Sequence, residues 1–123
     1  MTQVRRVSVF GATGSIGQNT LDLIARDPGA YDVVALTGGR NVALLAEDAK
    51  RLNAQLAVTC FDECRAELAE RLAGTGIEVA SGDKAVVEAA SRPADWVMSA
   101  IVGAAGVRPG LEALKHGRTL ALA

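Results

Sequence analysis

Gly11-Ala12-Thr13-Gly14-Ser15-Ile16-Gly17 follows the apolar run Val7-Ser8-Val9-Phe10 and opens a segment of helical periodicity from Ile16 to Arg26. Strand, glycine-rich turn and helix, in that order, is the layout of a site for a dinucleotide's phosphates. The spacing is G-x-x-G-x-x-G rather than the commoner G-x-G-x-x-G. A turn with no ligand can carry the same letters, and it is the place directly after an N-terminal strand that favours phosphate. Gly11 turns the chain sharply off the strand, Gly14 admits a pyrophosphate close to the backbone, and Gly17 lets the helix pack tightly on the sheet. Thr13 and Ser15 add hydroxyl donors, and the N–H groups of the helix start face the anion.

Outward from this turn the pattern alternates strand and helix. Strand one is expected over Arg6 to Phe10, and the first helix is expected to turn Ile16, Thr20, Leu23 and Ile24 inward. Asp27-Pro28-Gly29 breaks it. Strand two, Asp32 to Thr37, leads through Gly38-Gly39-Arg40-Asn41 to a helix that Asn41 can cap, with Val42, Leu45, Ala46, Ala49 and Leu52 as its stripe. Strand three is Leu56 to Cys60, and Asp62 is the expected cap of a helix bearing Leu68, Ala69 and Leu72. After a Gly74–Gly76 turn come a short strand four, Ile77 to Ala80, and a helix started by Asp83 with Val86, Ala89 and Ala90 inward. Strand five runs from Trp96 to Ala100, a small-residue loop from Ile101 to Gly106, a last helix from about Pro109 to Gly117, and strand six from Thr119 to Ala123.

Continuous apolar strands indicate a parallel sheet covered on both faces. The expectation is an α/β, Rossmann-like doubly wound fold of about six strands in the order 3-2-1-4-5-6, with residues 1–123 as one domain. Ligands in such folds sit outside the carboxyl ends of the strands. Three loops rich in small residues fall there: Gly11–Gly17, Gly38–Asn41 and Ala100–Gly106.

Composition narrows the function classes. The chain has 123 residues and a net charge of −1, so no basic field invites nucleic acid or an anionic membrane surface. Half the residues are hydrophobic and only 3% aromatic, which makes the core aliphatic. No apolar run is long enough to span a bilayer. The N-terminus runs straight into strand one with no room for a signal peptide, and a cytoplasmic protein is expected. Cys60 and Cys64, the two cysteines, lack C-x-x-C spacing and read as reduced thiols. No cluster has metal-ligand spacing and no acid/base pair or nucleophile constellation emerges. Asp83, Asp95, Lys84, Lys115 and the sole histidine, His116, read as surface or helix-end charges, so the chemistry belongs elsewhere.

The end of strand two discriminates between cofactors. An NAD site usually carries Asp or Glu there for the ribose 2′-hydroxyl. Leu36-Thr37-Gly38-Gly39-Arg40-Asn41 has no acid, and the Arg40 guanidinium offers a planar fork that suits a 2′-phosphate. NADP(H) is therefore favoured over NAD(H), against the alternative of a solvated surface arginine. The loop from Ala100 and Ile101 to Gly106 is expected beside the nicotinamide, or else is a tight crossover turn.

With these residues laid out, the chain resembles the N-terminal domain of the 1-deoxy-D-xylulose 5-phosphate reductoisomerase family. The likeness rests on Gly11 to Gly17 followed by Thr20-Leu21-Asp22, on Val33-Val34-Ala35-Leu36 leading into Gly39-Arg40-Asn41-Val42, and on Ala100-Ile101-Val102-Gly103-Ala104-Ala105-Gly106. The last of these is the most specific. The resemblance covers nearly the whole chain but about the first third of such an enzyme. It implies an NADPH-dependent, divalent-metal-assisted homodimer of non-mevalonate isoprenoid biosynthesis. Such enzymes rearrange 1-deoxy-D-xylulose 5-phosphate and reduce it to 2-C-methyl-D-erythritol 4-phosphate. It carries NADPH contacts over to Thr13, Gly14, Ser15, Ile16, Gly39, Arg40 and Asn41. Many members have lysine at the place of Arg40, which keeps the charge and changes the contact geometry. The family's metal ligands (for magnesium or manganese) and substrate-phosphate residues follow beyond strand six and have no counterpart here, so the chain alone is expected to be inactive. Two alternatives stay open at this point: another NADP-dependent G-A-T-G-type dehydrogenase domain, and a non-catalytic NADP(H)-sensing module.

Overall fold

The computed structural model of the chain describes residues 4–100 and the backbone of 119–122. The strands are β1 (Arg5–Phe10), β2 (Tyr31–Gly38), β3 (Leu56–Thr59), β4 (Glu78–Ser81), β5 (Trp96–Ser99) and β6 (Thr119–Leu122). The helices are α1 (Ser15–Ala25), α2 (Val42–Leu52), α3 (Arg65–Arg71) and α4 (Asp83–Ser91), with short 3-10 turns at Pro28–Ala30 and Asp62–Cys64. All strand pairs are parallel. The parallel α/β, Rossmann-like architecture is the one the apolar runs imply.

The strand order differs from the expectation. The sheet runs β4-β3-β2-β1-β5-β6, so β5, not β4, lies beside β1. The reason is legible in the side chains. β4 begins with Glu78 and has no fully buried residue, which suits an outer edge, whereas β5, of the same length, buries Val97 and Ser99. From that edge α4 carries the chain back across the sheet to β5. This crossover runs opposite to the earlier ones, so a right-handed connection puts its helix on the other face.

Two cores result. On one face α1, α2 and α3 bury Leu21, Ile24, Leu45, Ala49, Leu68 and Leu72 against Val7, Val9, Val33 and Leu36. On the other, Val86, Ala89 and Ala90 of α4 pack on Phe10, Val34, Ala35, Leu56, Val58 and Val97. Val34 and Ala35 share a face because the β1–β2 register slips between Val7 and Ser8, where Val7 pairs with Val33 and Ser8 with Ala35.

The first helix is rotated from its expected setting. Gly17, Leu21 and Ile24 are buried, while Ile16 is 47% and Leu23 63% exposed and Thr20 is half-buried. Gly17 decides this. A Cβ there would lie 2.2 Å from the Gly11 carbonyl oxygen, so Gly17 faces the strand end and the i+4 and i+7 positions follow it inward. The Asn41 cap is present, its Oδ1 accepting from Leu44 N–H at 3.2 Å. Asp62 caps no helix and instead accepts from the Ser81 hydroxyl at 2.7 Å. Ala69 is exposed and Leu52 half-buried. Asp83 is the first residue of α4, but Gly82, at φ 93°, is its cap. The expected last helix with His116 and Lys115 lies outside the described residues.

Candidate functional site

At the carboxyl end of β1 the chain leaves Phe10 through Gly11, whose φ of 77° favours glycine. The turn is pinned to β2 twice: Gly11 N–H donates to the Thr37 hydroxyl at 3.0 Å, and Ala12 N–H to the Thr37 carbonyl at 2.8 Å. Gln18 reaches back from α1, its Nε2 donating to the Ala12 carbonyl at 2.9 Å and to Asp48 Oδ2 at 2.6 Å. Asp48 is buried in α2, and its other oxygen accepts from Arg51 at 3.2 Å. A carboxylate inside the apolar stripe of α2 therefore braces the glycine-rich turn from below.

The start of α1 is open. Its first intrahelical bond is Gln18 N–H to the Gly14 carbonyl at 2.8 Å, so the N–H groups of Ser15, Ile16 and Gly17 precede the ladder. Gly14 stands at the cap with no side-chain capping bond, and the first turn holds no acid. Gly14 itself has an ordinary φ of −78°, and a Cβ built on it would meet nothing nearer than the Gly11 carbonyl at 3.7 Å. The chain's own packing does not require glycine there. Thr13 is half-buried, and Gly14, Ser15 and Ile16 are exposed on this rim.

The loop after β2 abuts the turn. A Cβ on Gly38 would lie 3.2 Å from both γ atoms of Thr13. Gly39 is tied to β3 by the Thr59 hydroxyl, which donates to its carbonyl at 2.9 Å, and it packs against Phe61. Arg40 does not extend into solvent alone. Its guanidinium carbon sits 4.0 Å from the centre of the Phe61 ring, and its Nη2 is 3.5 Å from Glu63 Oε1. Both charged side chains are about two-thirds exposed, 66% and 64%. Asn41 is exposed, with its side-chain oxygen engaged in the α2 cap.

On the other flank Ala100 N–H donates to the Phe10 carbonyl at 2.8 Å, which sets the end of β5 beside Gly11. The corrected strand order matters here. In the order 3-2-1-4-5-6 a strand would separate Ala100 from the glycine turn, whereas the observed order makes them neighbours at the point where the winding reverses. Ile101 and the loop to Gly106 lie outside the described residues.

Cys60 and Cys64 are free thiols, and burial, with Asp83 and Cys64 adding, holds Cys60 above its ordinary pKa, unlike an activated thiolate. Asp95 has a partner that sequence reasoning missed: it accepts from the Arg6 backbone N–H at 2.9 Å and from the Arg6 guanidinium at 3.4 Å. Those two bonds, the backbone one foremost, lower its pKa. Among the described residues no group of three or more His, Cys, Asp or Glu side chains could hold a metal ion, and no helix is long and apolar enough to cross a membrane. Gln18, Thr37, Asp48, Thr59, Phe61 and Glu63 were not singled out from the sequence. Of these Asp48 alone carried a signal, an acid between inward-facing Leu45 and Ala49.

Residues 7–123 match the family model described as 1-deoxy-D-xylulose 5-phosphate reductoisomerase. A reductoisomerase of that name from Ruegeria pomeroyi is 69% identical over 122 residues, which span 99% of this chain and 31% of that protein. The Zymomonas mobilis reductoisomerase solved in complex with NADPH superposes with a TM-score of 0.96 at 52% identity, over 98% of this chain and 32% of that one. A further reductoisomerase, solved with NADPH, fosmidomycin and magnesium, gives 0.89 at 35% identity, over 95% and 29%. The chain thus spans about a third of the length of the relatives it matches. By sequence over nearly its whole length, and by fold, the chain belongs to the 1-deoxy-D-xylulose 5-phosphate reductoisomerase family.

Proposed function

We propose that residues 1–123 are the NADPH-binding domain of an enzyme that rearranges 1-deoxy-D-xylulose 5-phosphate and reduces it to 2-C-methyl-D-erythritol 4-phosphate. The observation that carries the cofactor assignment is Gly14: a helix start with no side-chain capping bond and no acid in its first turn, where glycine is not demanded by the chain's own packing. A ligand approaching the backbone supplies the demand, and an anion suits the open N–H groups. In this reading Gly11, Thr13, Gly14, Ser15, Ile16 and Gly17 hold the pyrophosphate. Gly39, Arg40 and Asn41 take the 2′-phosphate, Asn41 through its amide nitrogen or backbone because its oxygen is engaged. Ala100 and Ile101 flank the nicotinamide. Bound NADPH would supply the hydride for the reduction. The family match favours this reading over another G-A-T-G dehydrogenase or a sensing module.

A divalent metal and the phosphosugar substrate belong, in this proposal, to the longer cytoplasmic homodimer, and no residue described here is assigned to either. Arg40→Ala tests the cofactor assignment. It is expected to weaken NADPH by about 10- to 100-fold, the loss of a hydrogen bond to a charged group, and to leave NADH nearly unchanged. Titration calorimetry with both cofactors reads this, and equal losses for the two would sink the 2′-phosphate role.

A further inference from the structure

In the chain as it stands, Arg40 is not waiting for an anion; it already has one. Glu63, on the 3-10 turn after β3, places Oε1 at 3.5 Å from Arg40 Nη2, while the Phe61 ring lies 4.0 Å beneath the guanidinium carbon. The ring and the carboxylate come from one short segment anchored at the ends of β2 and β3: Cys60 N–H donates to the Gly38 carbonyl at 2.9 Å, and Phe61 N–H to the Thr59 hydroxyl at 3.3 Å. The guanidinium is thus set on an aromatic platform with one edge compensated by a carboxylate. A planar cation on a ring keeps its edge donors in one plane, and those edges are what a phosphate or carboxylate engages.

We propose that Phe61 and Glu63 are positioning residues that set the preference between 2′-phosphorylated and unphosphorylated dinucleotides. Phe61 fixes the plane of Arg40, and Glu63 acts as a built-in competitor for its donors. The inference rests on the assignment of Arg40 to the 2′-phosphate. A 2′-phosphate must take Arg40 over from Glu63 and then sit near that carboxylate's negative charge. NADH brings no anion to this spot and meets neither cost. Glu63 therefore restrains NADPH affinity, and neutralising it sharpens the preference. Since both partners are largely exposed, the effect is modest and salt-sensitive.

The test is titration of NADPH and NADH into the wild-type protein and the Glu63→Gln, Phe61→Leu, Arg40→Ala and Arg40→Ala/Glu63→Gln variants, at about 0.05 and 0.5 M salt. Glu63→Gln is expected to tighten NADPH about threefold at low salt, with the gain shrinking at high salt and in the Arg40→Ala background. NADH should move by less than half that factor. Phe61→Leu is expected to weaken NADPH by about two- to threefold with little effect on NADH. If Glu63→Gln leaves NADPH unchanged, weakens it, or tightens both cofactors alike, the competitor role is overturned. A Phe61→Leu protein with wild-type NADPH affinity overturns the platform. Should Arg40→Ala cost both cofactors equally, the underlying assignment fails too. An Arg40→Ala loss confined to NADPH, beside an unresponsive Glu63→Gln, refutes only the present inference.

Discussion

Gly17→Ala is expected to destabilise the protein, although glycine-to-alanine changes inside helices usually stabilise. The ordinary expectation is a gain of about 1 kcal/mol from helix propensity and from the less flexible unfolded chain. Here the added Cβ would lie 2.2 Å from the Gly11 carbonyl oxygen and 2.7 Å from both Cα and O of Ala12. All three obstacles are backbone, so no side chain can swing aside. Restoring a normal contact needs a shift of about 1 Å between α1 and the turn. That shift pulls on the Gln18 bond to the Ala12 carbonyl and on the two bonds that pin Gly11 and Ala12 to Thr37. Overpacking of this kind costs about 1–3 kcal/mol, and weakening these three hydrogen bonds adds about 2 kcal/mol in all. The net expectation is a loss of about 2–4 kcal/mol, read by urea denaturation. Gly14→Val is the matched control. Its site has an ordinary φ, and a Cβ there makes only an ordinary contact with the Gly11 carbonyl, so stability should change by less than about 1 kcal/mol, while the thermal protection given by NADPH should disappear. A Gly17→Ala protein as stable as the wild type would refute the close approach of α1 to the strand end. Normal NADPH protection of Gly14→Val would show that the phosphates do not pass Gly14.

Asp48→Ala should cost about 1–3 kcal/mol in the same denaturation assay, because Gln18 and Arg51 lose a buried acceptor; an unchanged midpoint would remove the brace from the account. Asp95→Asn concerns acid stability. The folded carboxyl titrates below its unfolded value, so its stabilisation is present above about pH 4 and is lost as pH falls through the folded value. The thermal midpoint of the Asn variant should therefore fall less steeply than that of the wild type over this acid range, and parallel curves would contradict the Arg6–Asp95 coupling.

The sequence spoke clearly where local chemistry decides. The glycine turn, the Asn41 cap, the α2 stripe and the strands β1, β2, β3 and β5 all follow from residues close in the chain. It misled where a distant partner decides. The face of α1 depends on how near Gly17 comes to the Gly11 carbonyl, which periodicity cannot weigh against an exposed Leu23. Strand order depends on which strand can be buried, and Glu78 marked β4 as an edge. For the candidate site, Arg40 was legible as a charge in the loop after β2. Its engagement by Phe61 and Glu63 was not, because those residues arrive from the end of the neighbouring strand.

The place of β5 bears on how the chain assembles. β1 and β5 pair at Val7 with Trp96 and Phe10 with Ser99. Nearly the whole described chain must therefore be synthesised before the second edge of the central strand is filled. β1, β2 and β3 with α1 and α2 form from contiguous sequence and can condense early, since short loops close at the least entropic cost. Until β5 arrives, one edge of β1 from Val7 to Phe10 stands unpaired. Such an edge is a template for pairing with other chains. The same pairing that brings Ala100 to the glycine turn thus leaves that edge open to association until β5 is in place.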